Sequence, residues 1–203
     1  EEITGVTVTV KVADLNVSTL PSPAAQTVVA GTNDFVFANF VLDATQSGED
    51  IKVTQLKLTH TTSAANIHRY ITGITLYDDS YTTQADCESD GFEWNDANGC
   101  YLNNPQAGED STTTSRATST ITLIAPLIIP KSTAKTLTLR ANILNSAGEN
   151  STHQFGLQGA ASVTAYGNST GNSVDPDVTN SAGQTMTIAS AGTLRMANSG
   201  SNP

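Results

Sequence analysis

Two cysteines, three histidines and a run of carboxylates are the residues of this chain with chemistry to offer. Cys87 and Cys100 stand in DCESDGFEWNDANGCY with twelve residues between them. That spacing is not the CxxC of a redox pair. Two cysteines with no histidine in the stretch do not complete a structural zinc site either. A disulfide closing a short loop is the better reading. It would contribute roughly 3 kcal/mol by restricting the unfolded loop, and it implies an oxidising, extracytoplasmic setting. Bonded cysteines cannot act as nucleophiles.

His60 and His68 lie eight residues apart, with Asp78 and Asp79 further along and His153 remote in sequence. A metal or general-base role is conceivable for them, but histidines on a strand face or loop are the favoured reading. No G-x-S-x-G elbow, H-E-x-x-H or glycine-rich phosphate loop is present. No pair of carboxylates is singled out for glycoside hydrolysis. The chain is therefore expected to be non-enzymatic and to carry no cofactor.

The acidic stretch offers Asp78, Asp79, Asp86, Glu88, Asp90, Glu93 and Asp96. Their oxygens suit calcium, with Asp86, Asp90 and Asp96 as candidate ligands, but the spacing is not that of an EF-hand. A solvated acidic loop is preferred. Phe92, Trp94 and Tyr101 share this stretch. Loop aromatics stack on sugars or anchor interfaces; Trp94 packing on the disulfide as a miniature core is favoured over that. Asn16, Asn150 and Asn168 head the sequons NVS, NST and NST, candidate glycan sites in a surface protein.

The elements that must position these residues are strands. The chain has 203 residues, 31 of them Thr, with 14% charged and 37% hydrophobic. Threonine is β-branched and fits the half-buried face of a sheet, whereas the Glu, Lys, Leu and Ala runs of long helices are missing. A net charge of −10, with nine scattered basic residues, argues against nucleic acid, which requires clustered cations. No apolar run reaches the length of a membrane-spanning helix. The opening at Glu1-Glu2-Ile3, without Met, reads as a processed protein or an excised segment.

Val6 to Val12 alternates perfectly, and Thr27 to Val29 precedes a turn at residues 30–34. Phe35 to Leu42 is apolar on both faces, as a central strand would be. Ile51-Lys52-Val53 and Leu56-Lys57-Leu58 are out of phase by one residue, so a β-bulge near Thr54-Gln55 is expected. Further strands fall at Ile71–Tyr77, Thr118–Ile124, Thr136–Ile143 and Gln154–Tyr166. Pro126 and Pro130 bracket Leu127–Ile129 as an edge or crossover. Only Ser63–Tyr70 suits a helical turn. Residues 78–116 read as an insertion carrying the disulfide, and Gly167–Gly183 as a long surface loop. The sum is a single all-β domain over residues 1–203, a Greek-key β-sandwich with a disulfide-containing loop insertion.

The two ends echo each other. Thr9-Val10-Lys11-Val12-Ala13-Asp14 is matched by Thr193-Leu194-Arg195-Met196-Ala197-Asn198, a separation of 184 residues. Coincidence among Thr/Val-rich strands competes with a repeat relationship and with a terminal strand, about 184–198, that pairs with a neighbouring subunit or module. The stretches VVAGTNDFVFANFVLDATQSGEDIKVTQLKLTH, ITGITLYDD and PLIIPKSTAKTLTLRANI resemble Ig-like β-sandwich repeat modules of bacterial cell-surface proteins and pilus-like fibre subunits. The resemblance covers roughly residues 5–60, 70–80 and 120–145 and skips the insertion. It implies an Ig-like sandwich at the cell surface and brings no catalytic residues. The expectation is a structural subunit of an extracellular filament or surface array. It would assemble with copies of itself by strand addition, with Val6, Val8, Val10, Val12, Leu194 and Met196 filling a groove. The alternative is a carbohydrate-binding or adhesive module using the Cys87–Cys100 loop.

Overall fold

The computed structural model describes residues 11–106, 108, 115–159 and 162–190. Its strands are β1 (Asn16–Thr19), β2 (Gln26–Val29), β3 (Phe35–Asp43), β4 (Ile51–Thr62), β5 (Ile71–Asp78), β6 (Glu93–Asn95), β7 (Gly99–Tyr101) and β8 (Arg116–Ile129). They continue with β9 (Ala134–Ile143), β10 (Thr152–Leu157), β11 (Val163–Gly167), β12 (Ser173–Val174), β13 (Asp177–Asn180) and β14 (Ala182–Ala189). One helix, α1 (Gln84–Ser89), and one 3-10 turn (His68–Tyr70) complete the described elements. The turn falls inside the one stretch whose sequence suited it.

Two sheets pack face to face. The first runs β13-β1-β3-β9-β5-β7-β6 and the second β12-β11-β4-β10-β14-β2, with β8 also on β4. Neighbours far apart in the chain, such as β3 beside β9 and β4 beside β10, carry the crossed connections of a Greek key. Between the layers lie Phe37, Phe40, Leu56, Leu76, Ile121, Leu139, Phe155 and Met186, all essentially buried. Phe37 of one sheet meets Phe155 of the other edge-on, with ring centroids 5.2 Å apart. The doubly apolar β3 is central, flanked by β1 and β9.

The phase change in β4 is a bulge where the sequence placed it. Against β8 the register jumps between Val53 and Gln55, and against β11 it jumps opposite the same point. Thr54 is left out of both ladders, and its hydroxyl donates to the Thr164 carbonyl at 3.4 Å. Ile51, Val53, Leu56 and Leu58 consequently all point into the core.

Three expectations fail, the first being that Ser63–Tyr70 alone turns helical, since α1 forms at Gln84–Ser89, where the Thr83 cap starts it. The single strand expected over Gln154–Tyr166 is two, β10 and β11. Gly159, with φ +104°, takes a left-handed turn closed by the Ser162 amide on its carbonyl at 2.8 Å. The loop expected over Gly167–Gly183 holds β12 and β13, and β13 pairs in parallel with β1. DVTN has no apolar alternation, so only the backbone partner makes it a strand.

Residues 78–106 of the insertion fold onto the edge of the first sheet. Thr83 caps α1 by accepting from the Asp86 amide at 3.2 Å. The β6–β7 hairpin follows, and Cys87 of the helix is bonded to Cys100 of the hairpin, both buried. The chain then anneals along β5. Leu102 N donates to Leu76 O, Ile74 and Gln106 exchange two bonds, and Gly108 N donates to Ile71 O. Asn103, fully buried, substitutes for a missing strand residue. Its Oδ1 accepts from Leu76 N at 2.7 Å, while its Nδ2 donates to Ile74 O at 3.2 Å and Asn104 O at 2.8 Å. Asn103→Ala would leave the Leu76 amide buried without a partner. A loss of about 1–3 kcal/mol is expected, read by urea unfolding with the disulfide intact.

Candidate functional site

β8 is the longest strand described, at 14 residues. Lys52 of β4 pairs with Tyr166 of β11 on one side and Ile128 of β8 on the other, so β8 lies on the edge of its sheet. Its inward positions, Ala117, Ser119, Ile121 and Leu123, are buried, and Thr120 and Thr122 face solvent. Among the described residues, its backbone pairs outside β4 at Ile124, whose amide donates to Leu102 O at 2.8 Å. Proteins guard such edges with charge, proline or bulges. The guards here are confined to the ends: Arg116 at the start, and the irregular step to Leu127 with Pro126 near the finish. Residues 117–125, ATSTITLIA, carry neither charge nor proline.

The expected assembly strands are only partly placed. Val12 is 76% exposed, and its carbonyl accepts from the Gly48 amide at 2.9 Å. Val12 borders a polar cleft of about 630 Å³ with Lys11, Glu49, Lys131 and Thr170. Val6, Val8, Val10, Leu194 and Met196 lie outside the described residues. Residues 184–189 of the expected terminal strand belong to β14, which is held on both edges within its own sheet, antiparallel to β10 and parallel to β2.

In the insertion, Phe92 is buried and faces Tyr81 at 6.3 Å between ring centroids. Trp94 is half-buried against the core and sits opposite Cys100 across the hairpin. Tyr101, half-buried, donates its hydroxyl to the Glu93 carboxylate; this bond raises the phenol's pKa first, with burial and the Glu93 charge adding to it. The acidic residues are dispersed. Asp86 accepts from the Thr83 hydroxyl at 2.7 Å, Asp90 accepts from the Tyr81 hydroxyl at 2.6 Å, and Asp96 is exposed in the hairpin turn. Burial first and Asp90 second push the Tyr81 phenol up. Among the described residues no three His, Cys, Asp or Glu side chains converge as a metal site would require.

Polar contacts fasten the insertion to β9. Lys135 Nζ donates to Asp78 Oδ2 at 2.6 Å, with the Asp78 side chain fully buried, and lies 4.8 Å from the Tyr81 ring centroid. The other Asp78 oxygen accepts from the Ser80 amide at 3.0 Å. Arg140 reaches Asp34 at 3.1 Å and Asp79 at 3.4 Å while stacking over Tyr77 at 4.8 Å.

Of the sequon residues, Asn150 and Asn168 are exposed. Asn16 is half-buried within β1, where its Oδ1 accepts from the Thr179 hydroxyl at 3.4 Å. Beside Asn168, Glu49 accepts from the Ser169 and Thr170 amides and the Thr170 hydroxyl. The Thr170 bonds hold its carboxyl below the usual range.

The histidines, far apart in the chain, meet in the core. His60 Nε2 and His153 Nδ1 are 3.0 Å apart. His68 Nε2 lies 3.1 Å from the His60 carbonyl and 3.3 Å from the Thr62 hydroxyl. The ring of His60 stacks on Phe155, with centroids 4.1 Å apart. All three are buried. Spacing could not reveal the trio, because the β4–β10 ladder that joins them is a long-range pairing.

No family model matches the chain, and no curated protein does. Among solved structures it is similar to the seventh ScaB type I cohesin from Pseudobacteroides cellulosolvens, at 12% identity and a TM-score of 0.37, covering 91% of this chain and 98% of that one. So loose a superposition says nothing about function, and the sandwich rests on the strand pairing above. No described helix is long and apolar enough to cross a membrane.

Lys135→Met tests the clamp on the insertion. It strands the buried Asp78 carboxylate, and a loss of about 3–5 kcal/mol is expected. A thermal melt beside the Lys135→Met/Asp78→Leu double variant, which should recover much of the loss, checks it.

Proposed function

We propose that the protein is a non-enzymatic structural module of an extracellular filament or surface array, joined to copies of itself by β-strand addition. The observation that carries this reading is the uncharged edge of β8 from Ala117 to Leu123, short of the Leu102 contact at Ile124, which among the described residues has no second strand beside it. Strand addition supplies backbone hydrogen bonds along such an edge, and alternate side chains supply fit. The Val6–Val12 sequence is suited to it. Its valines would continue the inward row of Ala117, Ser119, Ile121 and Leu123, and its threonines the outward row of Thr118, Thr120 and Thr122. Leu194 and Met196 are the second candidate donors. The disulfide, formed across the edge of the first sheet, favours an oxidising compartment. No metal or cofactor is required.

Thr120→Glu/Thr122→Glu tests the edge. Both positions face solvent, and Thr120 sits opposite Lys57, so the monomer should fold. Its self-association, measured by light scattering and negative-stain microscopy, is expected to fall about tenfold, equivalent to roughly 1.4 kcal/mol. A variant lacking residues 1–13 should be similarly impaired if the N-terminal strand donates. Unchanged association in both variants would overturn the reading.

The second reading, an adhesive or carbohydrate-binding module, is favoured by Trp94, which remains partly exposed beside the disulfide. Trp94→Ala should abolish glycan-array binding and leave self-association intact. Equal glycan binding by both proteins would remove it.

A further inference from the structure

The histidine trio is built at the root of the β8 edge. His60 lies on β4 directly opposite Ala117 of β8 and directly opposite Phe155 of β10. His153 is the second residue of β10, opposite Met186 of β14, and His68 comes from the 3-10 turn. One proton between His60 Nε2 and His153 Nδ1 makes a hydrogen bond at 3.0 Å. A second proton would set two N–H groups against each other at that distance, in a site without water's dielectric. Among the described residues, His60 Nδ1, His68 Nδ1 and His153 Nε2 have no hydrogen-bond partner, so no acceptor waits to take an added proton.

β4, β8, β10 and β14 carry no Asp or Glu, and β3 carries only Asp43, at its far end. Among the described charged groups near the trio are Arg69, next to His68 and stacked over Tyr70, Arg116, opposite Thr61, and Glu149, in the turn just before β10. Lys57 lies on the outward face of β4, and Lys52 lies at its far end.

We propose that the trio is an acid-sensitive latch that holds β4, β8 and β10 together and loosens the β8 edge when His60 and His153 are both protonated. As regulation of strand addition, it rests on the reading of β8 as the acceptor edge. Burial, followed by His153 and His68, drives the His60 pKa well below its ordinary value. Burial, followed by His68, lowers that of His153 to about 4. Because the folded values are depressed, the stabilisation is complete above the unfolded value near 6.5. It is lost as pH falls from there toward 4.

The test is urea unfolding of the full chain, disulfide intact, between pH 7.5 and 5, followed by Trp94 fluorescence. His153 alone is expected to raise the unfolding constant about 30-fold at pH 5. His153→Leu and His60→Phe should each flatten the profile, the latter keeping a ring stacked on Phe155. Should His153→Leu not fold, His60→Phe decides alone. Identical pH profiles in wild type and the folded variants would overturn the latch. Light scattering over the same range separates the two readings. Oligomers that dissolve at pH 5 in wild type and persist in His60→Phe tie the latch to the edge, and pH-independent oligomers overturn that link. If no oligomer forms at any pH, the assembly reading fails, and the unfolding profile still decides the latch.

Discussion

β4 is paired on both edges over nearly its whole length, with β8 along one and β11 then β10 along the other. A strand so enclosed must send every apolar side chain to one face, because its neighbours fix the pleat. IKVTQLKL breaks that rule by one residue, and the excess is expelled at Thr54. The bulge keeps Ile51 and Val53 on the same face as Leu56 and Leu58. Without it, half the strand would turn its hydrophobic set to solvent. The core, the β8 edge and the histidine trio all hang on this strand's register.

The insertion shows a second way of closing a sandwich. The first sheet would end at β5, exposing a row of unpaired amides and carbonyls. The segment after the hairpin lies along that row and lends an asparagine side chain where its backbone cannot reach. The disulfide and the α1 cap brace the hairpin from which this segment leaves, and the Lys135–Asp78 pair ties the end of β5 to β9. One edge of the protein is thus elaborately covered, while β8 on the other sheet is left with charge and proline only at its ends. That asymmetry is what supports the proposal of β8 as an acceptor edge.

Buried imidazoles are costly polar groups unless their protons are shared or satisfied. Here the cost is contained by stacking on Phe155, by one proton shared between two rings, and by the His60 carbonyl and Thr62 hydroxyl around His68. Such an arrangement is stable in one protonation state. Stability and a pH response therefore come from the same contacts.

Local patterning was enough to read the strands whose apolar alternation is strict, the Thr54 bulge, the edge position of Pro126, the helical turn near His68 and the Cys87–Cys100 bond. Each follows from a period or a spacing within a few residues, where backbone sterics and side-chain alternation act. The sequence reading went wrong at β10 and β11, where a single left-handed glycine ended a run that looked continuous. It also missed β12 and β13, whose polar residues are strands only because another backbone lies beside them. Asp86, Asp90 and Asp96 were legible as acidic residues, but only the fold showed that two of them already serve a helix cap and a tyrosine hydroxyl. The histidine trio, the Asn103 plug and the edge position of β8 in its sheet were decided by tertiary structure alone. They are products of pairing between segments dozens of residues apart, and the free energy that selects such pairings belongs to the whole core and to no local stretch of chain.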